Sequence, residues 1–280
     1  MSRQIPKILM VVAALECGSS LAAQVPADVA ARVHQQLVAQ TDQQALAQQL
    51  LEGSAAERGV AVAVAEALGA ANTRPELHAA LVAALEREGR IQVERVRADR
   101  RGEVLQEQED PEFIAHVART VAALHDPGTI PALVNYGLGT GSPPRDALVA
   151  FGEQAAPAVL SAVMSPDSPH DTVDDGLVTL RFMVEGMATH PLSADTITQM
   201  RRAAAQHLAT GKGLQVTTLW WAMDLAIVLN DAKLRDTVRS IASDWNAVWD
   251  RGVLDLQLIE QTQKRAADRL AGIPALPRPN

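Results

Sequence analysis

The residue types that commonly carry chemistry are present, but few of them recur at a spacing that makes a site. The chain contains seven histidines and a single cysteine, Cys17. Glu112 and His116 are four residues apart, as are His170 and Asp174, so each pair can share one face of a helix. Because zinc takes three or four ligands from a protein, two residues do not define a site. We therefore predict no metal, no cofactor and no catalytic residue, and expect both pairs to be ordinary surface or capping residues.

One glycine-rich stretch, Gly137 to Ser142, has the spacing of a loop that could hold a phosphate group. Such loops follow a strand and offer backbone N–H groups to the anion. Here the preceding residues have a helical pattern, and Pro143 and Pro144 remove two of the N–H groups. The stretch therefore predicts a connection between two helices.

The four tryptophans are concentrated in one part of the chain, between Trp220 and Trp249. Trp245 and Trp249 are four residues apart and should share a helix face, whereas the adjacent Trp220 and Trp221 should point in different directions. One interpretation is that they fill the core, because buried aromatic side chains dominate packing energy. The other is an aromatic groove for a peptide or a sugar, because tryptophan is enriched in binding hot spots. On the second interpretation all four are candidate partner-binding residues.

Composition limits the classes of function. The 280 residues are 48% hydrophobic, 21% charged and only 3% aromatic, which indicates a folded chain and disfavours a β-sandwich or barrel. The formal net charge of −8 disfavours non-specific binding to nucleic acid or to anionic lipid. We expect no nucleic-acid partner.

The N-terminal segment has the order of a secretory signal. Arg3 and Lys7 precede a short apolar run, and small residues follow it up to Ala23. We interpret residues 1–23 as a signal peptide and predict an exported protein, periplasmic or secreted, without a stable membrane span. A lipid anchor at Cys17 is a second option, although Glu16 stands where a lipoprotein signal requires a small residue.

The remaining sequence is patterned for helices. Val29, Val33 and Leu37 recur at intervals of four, and Ser54 followed by Glu57 forms a capping-box pattern at the start of another helix. The stretch from Val216 to Trp221 has β preference, but its apolar continuation without a turn signal predicts a buried helix. Ser168 to Asp171 predicts a further helix start. The fold class is therefore all-α.

Residues 86–110 differ in composition from their surroundings. They contain eight acidic and six basic residues and few apolar ones. Oppositely charged residues four positions apart support a helix. We interpret the segment as a charged, solvated helical extension or insertion.

Several segments are similar to one another. Ala123–Val134 (ALHDPGTIPALV) and Val228–Arg239 (VLNDAKLRDTVR) share a hydrophobic pair, an aspartate and a helix restart. Glu66–Leu85 and Val149–Val163 follow a common plan of helix, glycine, proline and helix. This plan resembles the HEAT-like, armadillo-type α-helical repeat family, in which a two-helix unit buries its apolar face by stacking on its neighbours.

The resemblance implies an α-solenoid of antiparallel helix pairs whose surface binds a protein or peptide. It places the repeats at residues 24–165, with the charged insertion at 86–110, and a helical block continuing the array at 166–271. Residues 272–280 are a proline-rich tail. The expected function is that of an exported, non-enzymatic binding scaffold. The alternatives are an α/α-type enzyme that uses carboxylates such as Asp174 and Asp175, or a carrier of a small ligand or lipid that uses the tryptophan-rich block.

Overall fold

The computed structural model describes residues 27–101, 110–211 and 215–272. Over these ranges the regular structure is entirely helical, and no strand is present. The all-α prediction is therefore confirmed. The predicted signal peptide, Cys17, residues 102–109 of the charged segment and the prolines of the tail lie outside the described residues.

The chain divides into two compact units between Pro143 and Pro144. The helices of the first unit are α1 (Ala27–Gln40), α2 (Gln43–Glu52), α3 (Ala55–Leu68), α4 (Pro75–Arg101) and α5 (Pro111–Ala123). After a 3₁₀ turn at Pro127–Thr129, a short α-helical turn at Ile130–Ala132 continues as a π-helix over Leu133–Gly137.

The helices of the second unit follow with short connections. They are α6 (Ser142–Phe151, which begins two residues before the division), α7 (Ala156–Met164), α8 (His170–Glu185), α9 (Ala194–Leu208), α10 (Val216–Val228), α11 (Ala232–Ser243), α12 (Trp245–Trp249) and α13 (Leu256–Leu270). A 3₁₀ turn at Gly152–Gln154 separates α6 from α7.

Within each unit, many helices pack both on the next helix and on the next but one. In the first unit α2 contacts α3 and α4, and α3 contacts α5. In the second unit α8 contacts α7 and α10, and α11 contacts α9 and α13. Most of the apolar side chains buried in these contacts are leucine, valine and alanine, which fill the space between closely packed helices.

Helix starts follow the predicted capping chemistry in most places. Ser54 and Glu57 form both hydrogen bonds of the capping box, so that prediction is confirmed. The predicted helix start at Ser168 to Asp171 is confirmed, because α8 begins at His170. The capping signal is not realised by a side chain there: Pro169 occupies the N-cap position and no side chain caps this end. Proline supplies a suitable backbone conformation there but has no side-chain acceptor.

The charged segment begins as the second half of α4. Its solvated character is confirmed at Arg90, Glu94 and Arg95, which are exposed. Glu88 of the same segment is not solvated. It is buried, and its carboxylate lies 2.9 Å from a guanidinium nitrogen of Arg87 and 3.8 Å from one of Arg58.

The predicted connection at Gly137 to Ser142 is confirmed as the link between the π-helix and α6.

Of the helices in the described ranges, none is by itself long and apolar enough to cross a bilayer. The pair Ser142–Gln154 and Ala156–Met164 meets that criterion only when both are counted together across a bend of 114°.

Candidate functional site

The structure separates the four tryptophans into two pairs with different surroundings. Trp245 and Trp249 are 42% and 41% exposed on the short helix α12, and their rings stack with centroids 5.0 Å apart and an interplanar angle of 19°. Trp220 and Trp221 are half-buried on α10. The predicted shared face of Trp245 and Trp249 is confirmed.

Two leucines that follow the stacked indoles closely in the sequence are also exposed. Leu254 is 62% exposed and Leu256 is 66% exposed, on the turn after α12 and at the first residue of α13. We call Trp245, Trp249, Leu254 and Leu256 the Trp–Leu patch. Because exposed apolar surface rimmed by polar residues is typical of interaction sites, these four side chains are the candidate binding surface.

The helix that carries the two indoles is held in place by Arg251. This side chain is buried, its Nε donates to the carbonyl oxygen of Leu208 at 2.7 Å, and its Nη1 donates to that of Ala247. Burial lowers the pKa of Arg251, while the charge of Asp250 opposes that shift. The backbone N–H of Gly211 donates to the carbonyl of Asp250 at 3.1 Å, which adds a second tie to α9 and the residues after it. The indoles are therefore presented on a fixed support.

Three acidic residues flank the members of the Trp–Leu patch in the sequence. Asp244, Asp250 and Asp255 are all exposed, and they are the capping residues of α12 and α13. Arg251 is the sole basic residue between positions 244 and 256, and its guanidinium is turned inward. The patch thus combines flat aromatic surface with negative charge.

The other tryptophan pair belongs to a buried ionic cluster around Asp224. This carboxylate is fully buried in the middle of α10, and it lies 2.8 Å from Arg265, 2.8 Å from Arg269 and 3.6 Å from Arg181. Arg181 also meets Glu185 at 2.9 Å. The cluster joins α8, α10 and α13.

The indoles of Trp220 and Trp221 flank one arginine of this cluster. The guanidinium carbon of Arg265 lies 5.3 Å from the ring centroid of Trp220 and 5.0 Å from that of Trp221, which is cation–π geometry. Trp220 Nε1 donates to Thr262 Oγ1 at 2.9 Å. The expectation that these adjacent side chains point apart is incomplete, because both reach the same guanidinium. Their contacts tie α10 to α13.

Sequence reasoning missed the Asp224 cluster, although two signals were available. Asp224 stands alone in the apolar run of α10, where a buried carboxylate requires partners. Arg265 and Arg269 are four residues apart on α13 and so share a face. What the sequence lacks is any indication that these two helices and Arg181 meet.

The carboxylates considered for acid–base chemistry are also buried. Asp174 accepts a hydrogen bond from Thr218 Oγ1 at 2.5 Å, and this bond connects α8 to α10. Asp175 is buried one position further along α8. Both therefore lie in the interior, and neither lines the cavity described next.

An open depression of about 430 Å³ lies in the first unit. Its polar groups are His78, Glu86 and Asp126, and His78 Nε2 is 3.4 Å from Asp126 Oδ2. The rest of its wall is alanine, valine, proline and glycine, so none of its lining side chains can serve as a hydroxyl or thiol nucleophile.

The histidine pairs singled out in the sequence have other neighbours. His116 lies 2.7 Å from Glu66 on α3, and Arg119 lies 2.9 Å from the same carboxylate, so α5 is joined to α3. His170 is the first residue of α8. Across the described ranges, no three histidine, cysteine or acidic side chains are grouped as a metal site.

Comparisons with known proteins give no relative from which to transfer a function. No protein-family model matches the sequence, no curated protein is significantly similar to it, and no solved structure has a significantly similar fold.

Proposed function

We propose that this chain is a non-enzymatic binding protein that holds a protein or peptide partner on the Trp–Leu patch. The observation that carries the proposal is the stacked, half-exposed pair Trp245 and Trp249, followed closely in the sequence by the exposed Leu254 and Leu256. Binding energy at protein interfaces is concentrated in a few aromatic and arginine side chains, and tryptophan is the most enriched.

The support under the patch favours the same function. Arg251 ties α12 to the carbonyl of Leu208. The helix that carries the indoles is therefore already fixed before a partner binds. A preformed surface binds more tightly than a mobile one of equal area, because less conformational freedom is lost.

We further propose that the helices form a HEAT-like solenoid within each unit. Contacts to the next helix and to the next but one are what stacked two-helix repeats require.

The N-terminal pattern of residues 1–23 supports the proposal that the protein is exported. Determining the N-terminal residue of protein from the native host tests export: a mature chain beginning near Gln24 agrees with it, and an intact Met1 contradicts it.

The binding proposal is tested by affinity capture from the native host followed by mass spectrometry, with three forms of the protein. Wild type is compared with the double variant Trp245→Ala/Trp249→Ala and with Leu51→Ala, which removes an exposed apolar side chain of the first unit. Proteins retained by wild type and Leu51→Ala but lost with the double variant support the proposal.

The same set of captured proteins with all three forms would overturn the assignment to the patch. Far-UV circular dichroism of each variant establishes that the helices are intact. Direct titration of a recovered partner should then show at least tenfold weaker binding by the double variant, which corresponds to about 1.4 kcal/mol.

A further inference from the structure

The open depression of the first unit follows one face of α4. Its lining residues on that helix begin at Pro75 and end at Glu86, and their spacing in threes and fours puts them in a single stripe about 16 Å long. Ala79, Val82 and Ala83 form the middle of this stripe. Such small side chains leave room for another chain to lie close to the helix. We call this depression the α4 groove.

The α4 groove has an accessible carboxylate towards each end. Glu86 ends the stripe on one side, and the Asp126 side chain, 47% exposed, lies towards the other side with its Oδ2 3.4 Å from His78 Nε2. Arg90 donates to the backbone carbonyl of Glu86 at 3.1 Å. Within the described ranges, no residue forms an ion pair with the Glu86 carboxylate. The groove is therefore complementary to a chain that carries positive charge and an apolar stem.

The second unit contains the same kind of turn as the one that carries Asp126. α5 and α10 each have 13 residues, and each is followed by a leucine in helical conformation, a residue of positive φ (His125, 52°; Asn230, 50°) and an aspartate. The aspartate Oδ1 accepts a hydrogen bond from the backbone N–H two residues later, at 2.8 Å for Asp126 and 3.0 Å for Asp231. The two carboxylates are therefore held in the same local geometry.

The group that faces this aspartate differs between the units. In the second unit, α9 packs on the helices before and after the turn, and its Arg201 Nε lies 3.5 Å from Asp231 Oδ2. In the first unit, α4 has the corresponding position and presents the shorter His78 to Asp126. The Asp231 side chain is 30% exposed, less than that of Asp126. A guanidinium group thus fits this type of turn, and α4 supplies an imidazole in its place.

We propose that the α4 groove docks an arginine side chain of a basic protein or peptide segment, with the guanidinium on the Asp126 carboxylate and the stem over Ala79 and Val82. Guanidinium groups donate strong, charge-assisted hydrogen bonds to carboxylates, and the methylene stem of arginine packs on apolar surface. The Glu86 carboxylate favours a second basic residue in the same segment.

The shape of the α4 groove favours a protein partner over a small ligand. Small-molecule sites enclose most of the ligand, whereas an open depression leaves much of it in water. A protein or peptide covers the opening with its own chain. The proposal concerns the first unit alone and stands whether or not the Trp–Leu patch binds a partner.

The test is an NMR titration of the isotope-labelled full chain with two capped tripeptides, Ala-Arg-Ala and Ala-citrulline-Ala. Citrulline has the shape of arginine without its charge. We expect the arginine peptide to shift the backbone amide signals of Ala79, Val82, Ala83 and Gly128, and the citrulline peptide to leave them unchanged. Added salt should weaken binding of the arginine peptide.

Matched substitutions in the two turns locate the binding site. Asp126→Asn removes the charge but keeps a good N-cap residue, and should weaken binding of the arginine peptide about fivefold. Asp231→Asn makes the same change in the second unit and should leave the affinity unchanged. His78→Arg supplies a guanidinium from α4 itself, as Arg201 does from α9, and should abolish binding. Far-UV circular dichroism of each variant checks that the helices are intact.

Three outcomes would contradict the docking site. Equal shifts with the arginine and citrulline peptides mean that the positive charge is not recognised. Equal weakening by Asp126→Asn and Asp231→Asn means that the peptide responds to the net charge of the protein and not to the groove. Guanidinium chloride that shifts the same signals with the affinity of the peptide means that the groove is a site for a small cation.

Discussion

Asp224 ties together three helices of the second unit. It is a fully buried carboxylate that faces Arg181, Arg265 and Arg269 from two other helices. The desolvation of such groups is compensated only while the opposite charges remain together. Removing the carboxylate leaves buried guanidinium groups without that compensation.

We therefore expect Asp224→Asn to lower the free energy of unfolding of the second unit by about 3–5 kcal/mol. Urea denaturation followed by tryptophan emission measures this, because all four tryptophans lie in the same unit. Asp236→Asn is the matched control: its ion pair with Arg239 is exposed on both sides and should contribute less than about 1 kcal/mol. Equal effects of the two substitutions would show that the cluster is not structurally important.

Glu66 makes the stability of the first unit depend on pH in the acidic range. Burial raises its pKa, but hydrogen bonds from Arg119 and His116 and their positive charge lower it, and the net shift is below the ordinary glutamate value of 4.5. A carboxyl group with a depressed pKa in the folded state contributes stability above its unfolded pKa. That contribution is lost as the pH falls through the folded value.

Glu66→Gln should accordingly be less stable than wild type near neutral pH, and the difference should shrink as the pH falls below 4.5. Thermal unfolding followed by far-UV circular dichroism from about pH 6 to about pH 3 gives the comparison. Glu112→Gln, on an exposed residue at the start of α5, serves as the control. A difference that stays constant or grows in acid would contradict the assigned shift.

At the scale of elements, close packing can outweigh helix propensity. Gly89 lies within α4, and a Cβ atom added there would be 2.4 Å from the Cβ of Tyr136 in the π-helix. Gly59 lies within α3, and a Cβ atom at that position meets nothing within 4 Å. The same substitution should therefore have opposite effects on stability.

We expect Gly89→Ala to destabilise the first unit by about 1–3 kcal/mol through overpacking. Gly59→Ala should stabilise it by about 0.5–1 kcal/mol, because alanine loses less backbone freedom than glycine in a helix. Urea unfolding followed by circular dichroism measures both. A stabilising Gly89→Ala would mean that Tyr136 and its helix move away at little cost.

Helices were largely predictable because their signals are local. The capping box at Ser54 and the apolar run from Val216 each carry enough information within one segment to define a helix. The burial of Glu88 was not predictable in the same way, because it depends on Arg58 from another helix. Composition alone marked the surrounding segment as solvated.

At the scale of the whole molecule, the candidate site was only half predictable. The four-residue spacing of Trp245 and Trp249 indicated a shared face, whereas their exposure depends on how α12 lies against α9 and α13. Trp220 also lies on a helix, yet its ring packs against Arg265, which is more than forty positions away in the sequence. Tertiary pairing over such separations leaves no local pattern.

Tryptophan fluorescence of the protein reports which of the two tryptophan pairs is exposed and which is buried. Removal of the exposed indoles in Trp245→Phe/Trp249→Phe should shift the remaining emission to shorter wavelength and reduce its quenching by acrylamide, because Trp220 and Trp221 are half-buried beside Arg265. Trp221→Phe should shift it in the opposite direction. If instead the double variant emits at longer wavelength than wild type, the stacked pair is the buried one, and the Trp–Leu patch is not a surface that a partner can reach.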